Sequence, residues 1–534
     1  MKYFKNFRIN YLYLLLILLI PFSFIQPQSY TQSGGDSTIA NRSFTASNTD
    51  ESGVTVTNSG TLNLSNSTVT TTGNTSSNDN SSFYGLNAGV LAESASTINL
   101  TGCKITTNGT GANGVFATGT GTSITLINDT ITCTNDGAHG VDATFEGVLT
   151  LTDVVINTAG AHGAAISTDR GGGTVTVTRG NAISSGQDSP GIYCTGDITV
   201  NDGIVTATGS EGAVIEGANS IKLNNTTLTG AIGTRDRGLL IYQSMSGDAQ
   251  GNEGTFSMDS GSFNWPSTTG PLMYVTNTTG IINLNNVEIN NSSETLLKAS
   301  ADQWGNSGSN GGTVILTAGK QKLTGNIICD NISSVTAVLK DSSVLTGAIN
   351  TGNTAKSISV TLDSSSMWTL TANSYLNSFI DADGISGTEV VNIAGNGFNI
   401  YYDASLSAND YLNSLTYSLI NGGNLTPKTS TSVNDQEQGQ IPTKLELKQN
   451  YPNPFNPSTT IEYQIPGTGN VVIKIFNING ELIKTLKEEQ QSSGNYSVKW
   501  NGKNNNGQQV ASGIYICRIM FGATMLSRKM LLLK

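Results

Sequence analysis

Charge is the first thing this chain is short of. Only 12% of its 534 residues are Asp, Glu, Lys or Arg, about half the share of an ordinary soluble domain. Histidine occurs twice, proline 11 times and cysteine five times. Each shortage excludes something. There is no cluster of Lys and Arg, so nucleic acid is not an expected partner. The cysteines, Cys103, Cys133, Cys194, Cys329 and Cys517, are odd in number and far apart. They make no disulfide framework, CxxC or Cys/His metal motif, so buried free thiols are expected. GxSxG, Walker, HExxH and calcium-nonapeptide motifs are missing, and neither cofactor nor metal is expected. Long apolar runs are missing too, except from Tyr11 to Ile20, which follows Lys2, Lys5 and Arg8. About ten apolar residues fall short of the roughly 20 a membrane helix needs, and the layout is that of a secretory signal peptide over residues 1–30. After its removal, an integral helical membrane protein is not expected.

What fills the chain is Gly, at 61 residues, with Ser, Thr and Asn at most other polar positions. Ser, Thr and Asn compete for helical backbone bonds and Gly weakens helices, while aliphatic and β-branched residues are spread throughout, so the composition favours extended strands. The net charge of −11 is uneven. The first ten residues hold three bases and no acid, residues from 441 onward hold eleven bases and five acids, and the stretch between holds 13 bases and 33 acids. An acidic middle of scattered charges suits a soluble secreted protein.

The middle repeats. Segments such as "GVLAESASTINL", "GVFATGTGTSITL", "GVDATFEGVLTL" and "GAVIEGANSIKL" recur, with leading glycines at Gly89, Gly114, Gly140, Gly163, Gly191, Gly212 and Gly238. The intervals are 25, 26, 23, 28, 21 and 26 residues, the length of one turn of a parallel β-helix with three short strands. One and three places after each glycine stand apolar pairs such as Val115/Ala117 and Val141/Ala143. The place between is free to be Phe116, Asp142 or Tyr193, so one strand face is in the core and the other is not. About eleven rungs are expected, with residues 36–60 as one cap and the aromatic-rich stretch up to residue 425 as the other. The passenger, residues 31–425, resembles the right-handed parallel β-helix repeat proteins, which include adhesins, autotransporter-like passengers and pectate-lyase-like polysaccharide enzymes.

A polar linker, 426–443, then leads to alternating runs, "VVIKIFN", "NYSVKW" and "GIYICRI", separated by turn residues. These predict a small antiparallel Ig-like β-sandwich over 444–534, with Trp500 in its core. Five of the 11 prolines fall in the last hundred residues, four of them in or near "QNYPNPFNPST". That stretch, with "IFNINGELIKTL", "GNYSVKWNGKNNNGQQVASGIY" and the basic close "RKMLLLK", resembles the type A C-terminal sorting domain of the type IX (Por) secretion system. The resemblance implies export across the outer membrane of a Gram-negative bacterium, and a passenger released or attached to surface lipopolysaccharide. The sorting motif it marks is Asn450, Pro452, Asn453, Pro454, Phe455, Asn456 and Pro457. Where this chain has "FNING", relatives carry an Asp and a Gly in the turn.

Aligning rungs on their glycines gives a polar ridge just before the glycine: Ala88, Asn113, His139, His162, Pro190, Glu211, Arg237. On this alignment the two histidines stand on adjacent rungs, as do Glu211 and Arg237. The ridge reads either as a site that binds a glycan or metal or supplies acid–base groups, or as surface turns with an ion pair of under about 1 kcal/mol; two histidines without a third ligand make a weak metal site. Two loops, 242–254 and 299–312, add Tyr242, Asp248, Glu253, Asp302 and Trp304 as groups that could touch sugar. No catalytic constellation stands out. The expected function is adhesive or structural, with glycans as partners; the alternative is a polysaccharide lyase or glycoside hydrolase on the same scaffold, which a cluster of acids and bases on one sheet would favour.

Overall fold

A computed structural model describes residues 28–247, 249–428, 444–450, 453–522 and 524–533. Most of the signal segment and of the linker, together with Pro452 and Asp248, therefore lie outside the described residues. The chain divides into two compact units, 1–428 and 429–534.

The first unit is a parallel β-solenoid with three strands per rung. Its first face is a 12-stranded sheet that starts at Tyr30–Ser33 and Val54–Thr57 and ends at Asn326–Cys329. The second face runs from Asp36–Ala40 through Thr97–Thr101 to Ser378–Ile380, and the third begins at Ser43–Ala46 and Thr68–Thr71. Alternation explains both sides of each strand. In Thr97–Thr101, Ile98 and Leu100 are buried while Thr97, Asn99 and Thr101 face out. The same inward columns from every rung merge into one core that runs the length of the unit.

Each repeat begins with glycine because the next rung's backbone leaves no room for a Cβ. A Cβ on Gly114 would stand 2.4 Å from the carbonyl oxygen of Gly140, and one on Gly140 would stand 2.5 Å from that of Ala165. Gly140→Ala is expected to destabilise the solenoid by about 1–3 kcal/mol, read as a lower midpoint in thermal melting. An unchanged midpoint would mean that the rungs separate locally at no cost.

Three expectations need correction. Residues 36–60 are not a cap; they form strands of the first two rungs, hidden in sequence because Ser and Thr occupy six of the 13 positions in Asp36–Ala40, Ser43–Ala46 and Val54–Thr57. A helix, Asn78–Tyr84, interrupts the second rung, capped by Ser77, whose Oγ accepts the Asn80 N–H, and closed by left-handed Gly85. The rung alignment also slips: Val141 pairs with Ile166, so Ala165, not Gly163, takes the glycine's place. At the far end the regular rung gives way to antiparallel pairing of Tyr417–Ile420 with Asn424–Pro427. All five cysteines are free and buried.

The second unit is an antiparallel sandwich of a three-stranded sheet, with Thr459–Ile465 at its centre, and a four-stranded sheet closed by Gly513–Phe521 and Thr524–Leu532. Trp500 is buried between Phe455 and Tyr515, with ring centroids 5.4 and 5.1 Å away. No helix among the described residues is long and apolar enough to cross a membrane.

Candidate functional site

The outer sides of the second and third faces carry ladders of small polar residues, interrupted by charged and apolar side chains such as Asp197, Lys222 and Ile204. Thr125, Thr150, Thr176 and Thr199 stand in register on four successive rungs, and Asn201 and Asn224 bond side chain to side chain at 2.7 Å. The outer side of the first face is different. Its register brings Phe116, Asp142, Ser167, Tyr193 and Val214 into one column, and Glu216 and Tyr242 into the neighbouring one. These are the positions between the inward pairs, which sequence leaves unconstrained. The parity was legible; that this single face collects the chemistry was not.

Asp142 is fully buried and neither carboxylate oxygen has a hydrogen-bond partner. Burial, and then the charge of Asp169, push its carboxyl well above the usual value, so it is held protonated. Glu216 is the opposite case. One oxygen accepts the hydroxyls of Tyr193 at 2.8 Å and Tyr242 at 2.7 Å, and the other accepts that of Ser244. A buried carboxyl group with hydroxyls aimed at both of its oxygens has its hydrogen-bonding capacity met. Through Ser244 it ties the segment after residue 242 to the sheet. Glu216→Ala, which leaves those hydroxyls without their acceptor, is expected to cost about 2–3 kcal/mol and to open the 243–251 loop. Limited proteolysis that nicks this loop in the variant and spares the parent checks it; equal cutting would refute it.

The ridge drawn from sequence does not assemble. His139 is buried; its Nδ1 accepts the Ala164 N–H at 3.0 Å, and burial holds its pKa down to about 4, so it is neutral and internal. His162 is exposed in a left-handed turn, and the register puts Ala164 beside His139. The two histidines are not stacked. Glu211 is buried with Ser210 donating to it, while Arg237 turns away to pair with Asp302.

Arg237 and its neighbours form a clamp. The guanidinium lies 4.1 Å over the Tyr274 ring, Trp304 packs on Tyr242 at 4.4 Å, and Asn310 donates to the carbonyls of Asp302 and Trp304. Arg235 lies 5.1 Å above the Trp304 ring. Thus Tyr242 and Trp304 do come together, but they fasten the 299–312 loop to the sheet. Toward the other end, helix Asn78–Tyr84 covers the same face: Thr144 donates to the Phe83 carbonyl at 2.9 Å, and Arg170 lies 3.9 Å over the Phe83 ring. Among the described residues no group of three or more His, Cys, Asp or Glu is placed to hold a metal ion.

In the second unit, the described part of the sorting motif is built in as much as displayed. Asn450 is buried and donates to Thr459 Oγ1 at 2.9 Å. Asn453 Oδ1 accepts the Leu531 N–H at 2.8 Å, and the Phe455 N–H donates to the Leu531 carbonyl at 2.9 Å. Phe455 is buried, whereas Asn453, Pro454, Asn456 and Pro457 are exposed.

Residues 457–519 match the family model of the FlgD Ig-like domain. No curated protein matches the chain. Among solved structures, the crystal structure of dimeric latent PorU from Porphyromonas gingivalis is 16% identical, covering 20% of this chain and 10% of its own, with a TM-score of 0.15. The match thus spans about a tenth of the PorU chain.

Proposed function

We propose that this is an exported β-solenoid that binds glycans at the surface of a Gram-negative cell, or once secreted from it. Its second unit is the address that the type IX secretion machinery reads. The observation that carries the glycan reading is the gathering of aromatic rings and buried acids on the outer side of the first face, where Tyr193, Tyr242 and Tyr274 stand with Asp142 and Glu216 beside Arg237 and Trp304. Solenoids gather binding chemistry on one surface in this way. The export reading rests on the sequence resemblance over residues 444–534, and a separate Ig-like unit behind a polar linker supports it. Surface lipopolysaccharide is the attachment partner that the resemblance implies.

A second reading, polysaccharide cleavage, is favoured by the neighbouring carboxyls Asp142 and Asp169, since a pair of carboxyl groups is the machinery of glycosidic cleavage. One experiment separates the two. The purified protein is incubated with plant, algal and bacterial polysaccharides, and both binding and new reducing ends or unsaturated uronates are measured. Binding without products supports the adhesive reading; products that vanish in Asp169→Asn replace it with the enzyme; neither binding nor products removes the glycan reading. For export, a reporter fused to residues 429–534 should reach the surface of a type IX-competent cell and stay inside when 444–534 is deleted.

A further inference from the structure

The turn that joins the first face to the second has a recurring shape. Two consecutive residues take left-handed backbone conformations, and the pairs that fill it are Gly34–Gly35, Asn58–Ser59, Ser94–Ala95 and Gly171–Gly172. These are residues that enter that region with little or no Cβ penalty, or are at least small. One rung fills the pair with large side chains, Phe145–Glu146, with φ of 48° and 69°. A bulky aromatic in this region is strained, and strain of this kind persists where something else holds it.

What the strain achieves is the placement of a ring. Phe145 stacks on Tyr84, centroids 5.5 Å apart and planes within 11°. Tyr84 is 49% exposed, so the pair is an aromatic platform rather than core. The neighbouring turn leaves room for it, because a Cβ on Gly171 would stand 2.6 Å from the Phe145 ring. Beside the platform lies an open cleft of about 650 Å³, bounded by Phe145, Arg170 and Gly172, with Thr195, Asn219 and Gln250 across from it. That size falls within the range of small-molecule sites. Arg170 is turned onto Phe83, Glu146 stands beside the platform, and acids outnumber bases 33 to 13 in the surrounding chain. The charge balance disfavours an anionic ligand.

We propose that this cleft is a subsite for a neutral pyranose ring, stacked on the Tyr84–Phe145 platform with its hydroxyls facing the polar groups opposite. The proposal rests on the glycan-binding reading and assigns it a place and a ligand class. Ring stacking supplies apolar contact on one sugar face, and the absence of ion pairing makes the binding insensitive to salt.

The test uses the purified protein with β-1,4-linked gluco-, manno- and xylohexaose and an acidic tri-galacturonate, measured by calorimetry. At least one neutral oligosaccharide is expected to bind, with affinity unchanged within about twofold from low to high salt. Phe145→Gly is expected to weaken it at least about tenfold, and the variant's melting temperature is expected to equal or exceed the parent's, because glycine relieves the left-handed strain. That split is the signature, since a ring kept only for packing would lose stability when removed. Binding that survives Phe145→Gly, or a variant that melts lower, overturns the subsite and leaves glycan binding elsewhere on the face. Preference for the tri-galacturonate with steep salt dependence overturns the ligand class. No binding by any of the four overturns the subsite together with the reading beneath it.

Discussion

Replacing Phe455 by Ala is expected to destabilise the second unit by about 3–5 kcal/mol, the usual range for a buried phenylalanine. The ring is buried against Trp500, and the backbone on both sides of it is stitched to the last strand: Phe455 N–H to the Leu531 carbonyl at 2.9 Å, and Leu533 N–H to the Phe455 carbonyl at 3.0 Å. Loss of the ring therefore leaves a cavity beside the core tryptophan and loosens the chain's final strand. A small domain has a total stability of about 5–15 kcal/mol, so the loss is a large share of it. Asn456→Ala, at an exposed position of the same motif, should change stability by less than about 0.5 kcal/mol. Hydrogen exchange of the amides in Thr459–Ile465 and Gly494–Trp500 reads both. If the address is a peptide that a receptor reads irrespective of fold, export tracks Asn456 and not Phe455. If the receptor reads the folded unit, export falls with Phe455→Ala in step with the lost protection. Protection unchanged in Phe455→Ala would refute the structural role of this residue.

The rungs were legible because burial on one side of a strand imposes a period of two, and closure of the solenoid imposes a period near 25 residues. Both are local rules that a single chain must write into its sequence. Rung register is not local. The alignment on glycines failed at Gly163 because the register sets Ala165, not a glycine, opposite Gly140, and Gly163 falls two residues earlier. One two-residue slip was enough to stack His162 on His139 on paper and separate them in space. The candidate site was obscured for a related reason. Asp142, Tyr193 and Glu216 sit at positions that repeat chemistry leaves free, so nothing periodic marks them. Helix Asn78–Tyr84 is not marked in the sequence because Ser and Asn dominate it, and its place is decided by bonds to other rungs, with Ser81 donating to the Gly111 carbonyl and Asn113 and Thr144 donating to the carbonyls of Ser81 and Phe83. Phe145 carried a signal in hindsight: it is the aromatic at a turn position where other rungs have Gly, Asn, Ser or Ala.

Asp142→Leu is expected to stabilise the solenoid, by about 1–3 kcal/mol, because it replaces an unsatisfied buried acceptor with an apolar group of similar size. The gain should also grow with pH. A carboxyl whose folded pKa lies above its unfolded value stays protonated in the native state while the unfolded chain has already released its proton. Stability is then complete below the unfolded value near 3.8 and falls as pH rises toward the folded one. Asp129 and Asp381, both pushed up to about 6 by burial, act with the same sign over a narrower window. His139 acts with the opposite sign: burial holds it at about 4, so stability is present above its ordinary value of 6.5 and drains away as pH falls toward 4. Between pH 4 and 6 these contributions oppose one another, and the parent's own pH profile is flattened. The comparison of parent with Asp142→Leu cancels the groups they share and leaves Asp142. Melting temperatures of both proteins at pH 4.5 and 7.5 supply it, with the larger gain at 7.5. A gain of the same size at both pH values would place Asp142 in the unprotonated state with a partner. A loss at both would make its carboxyl a structural acceptor, and the acid pair with Asp169 would then belong to the architecture of the face rather than to its chemistry.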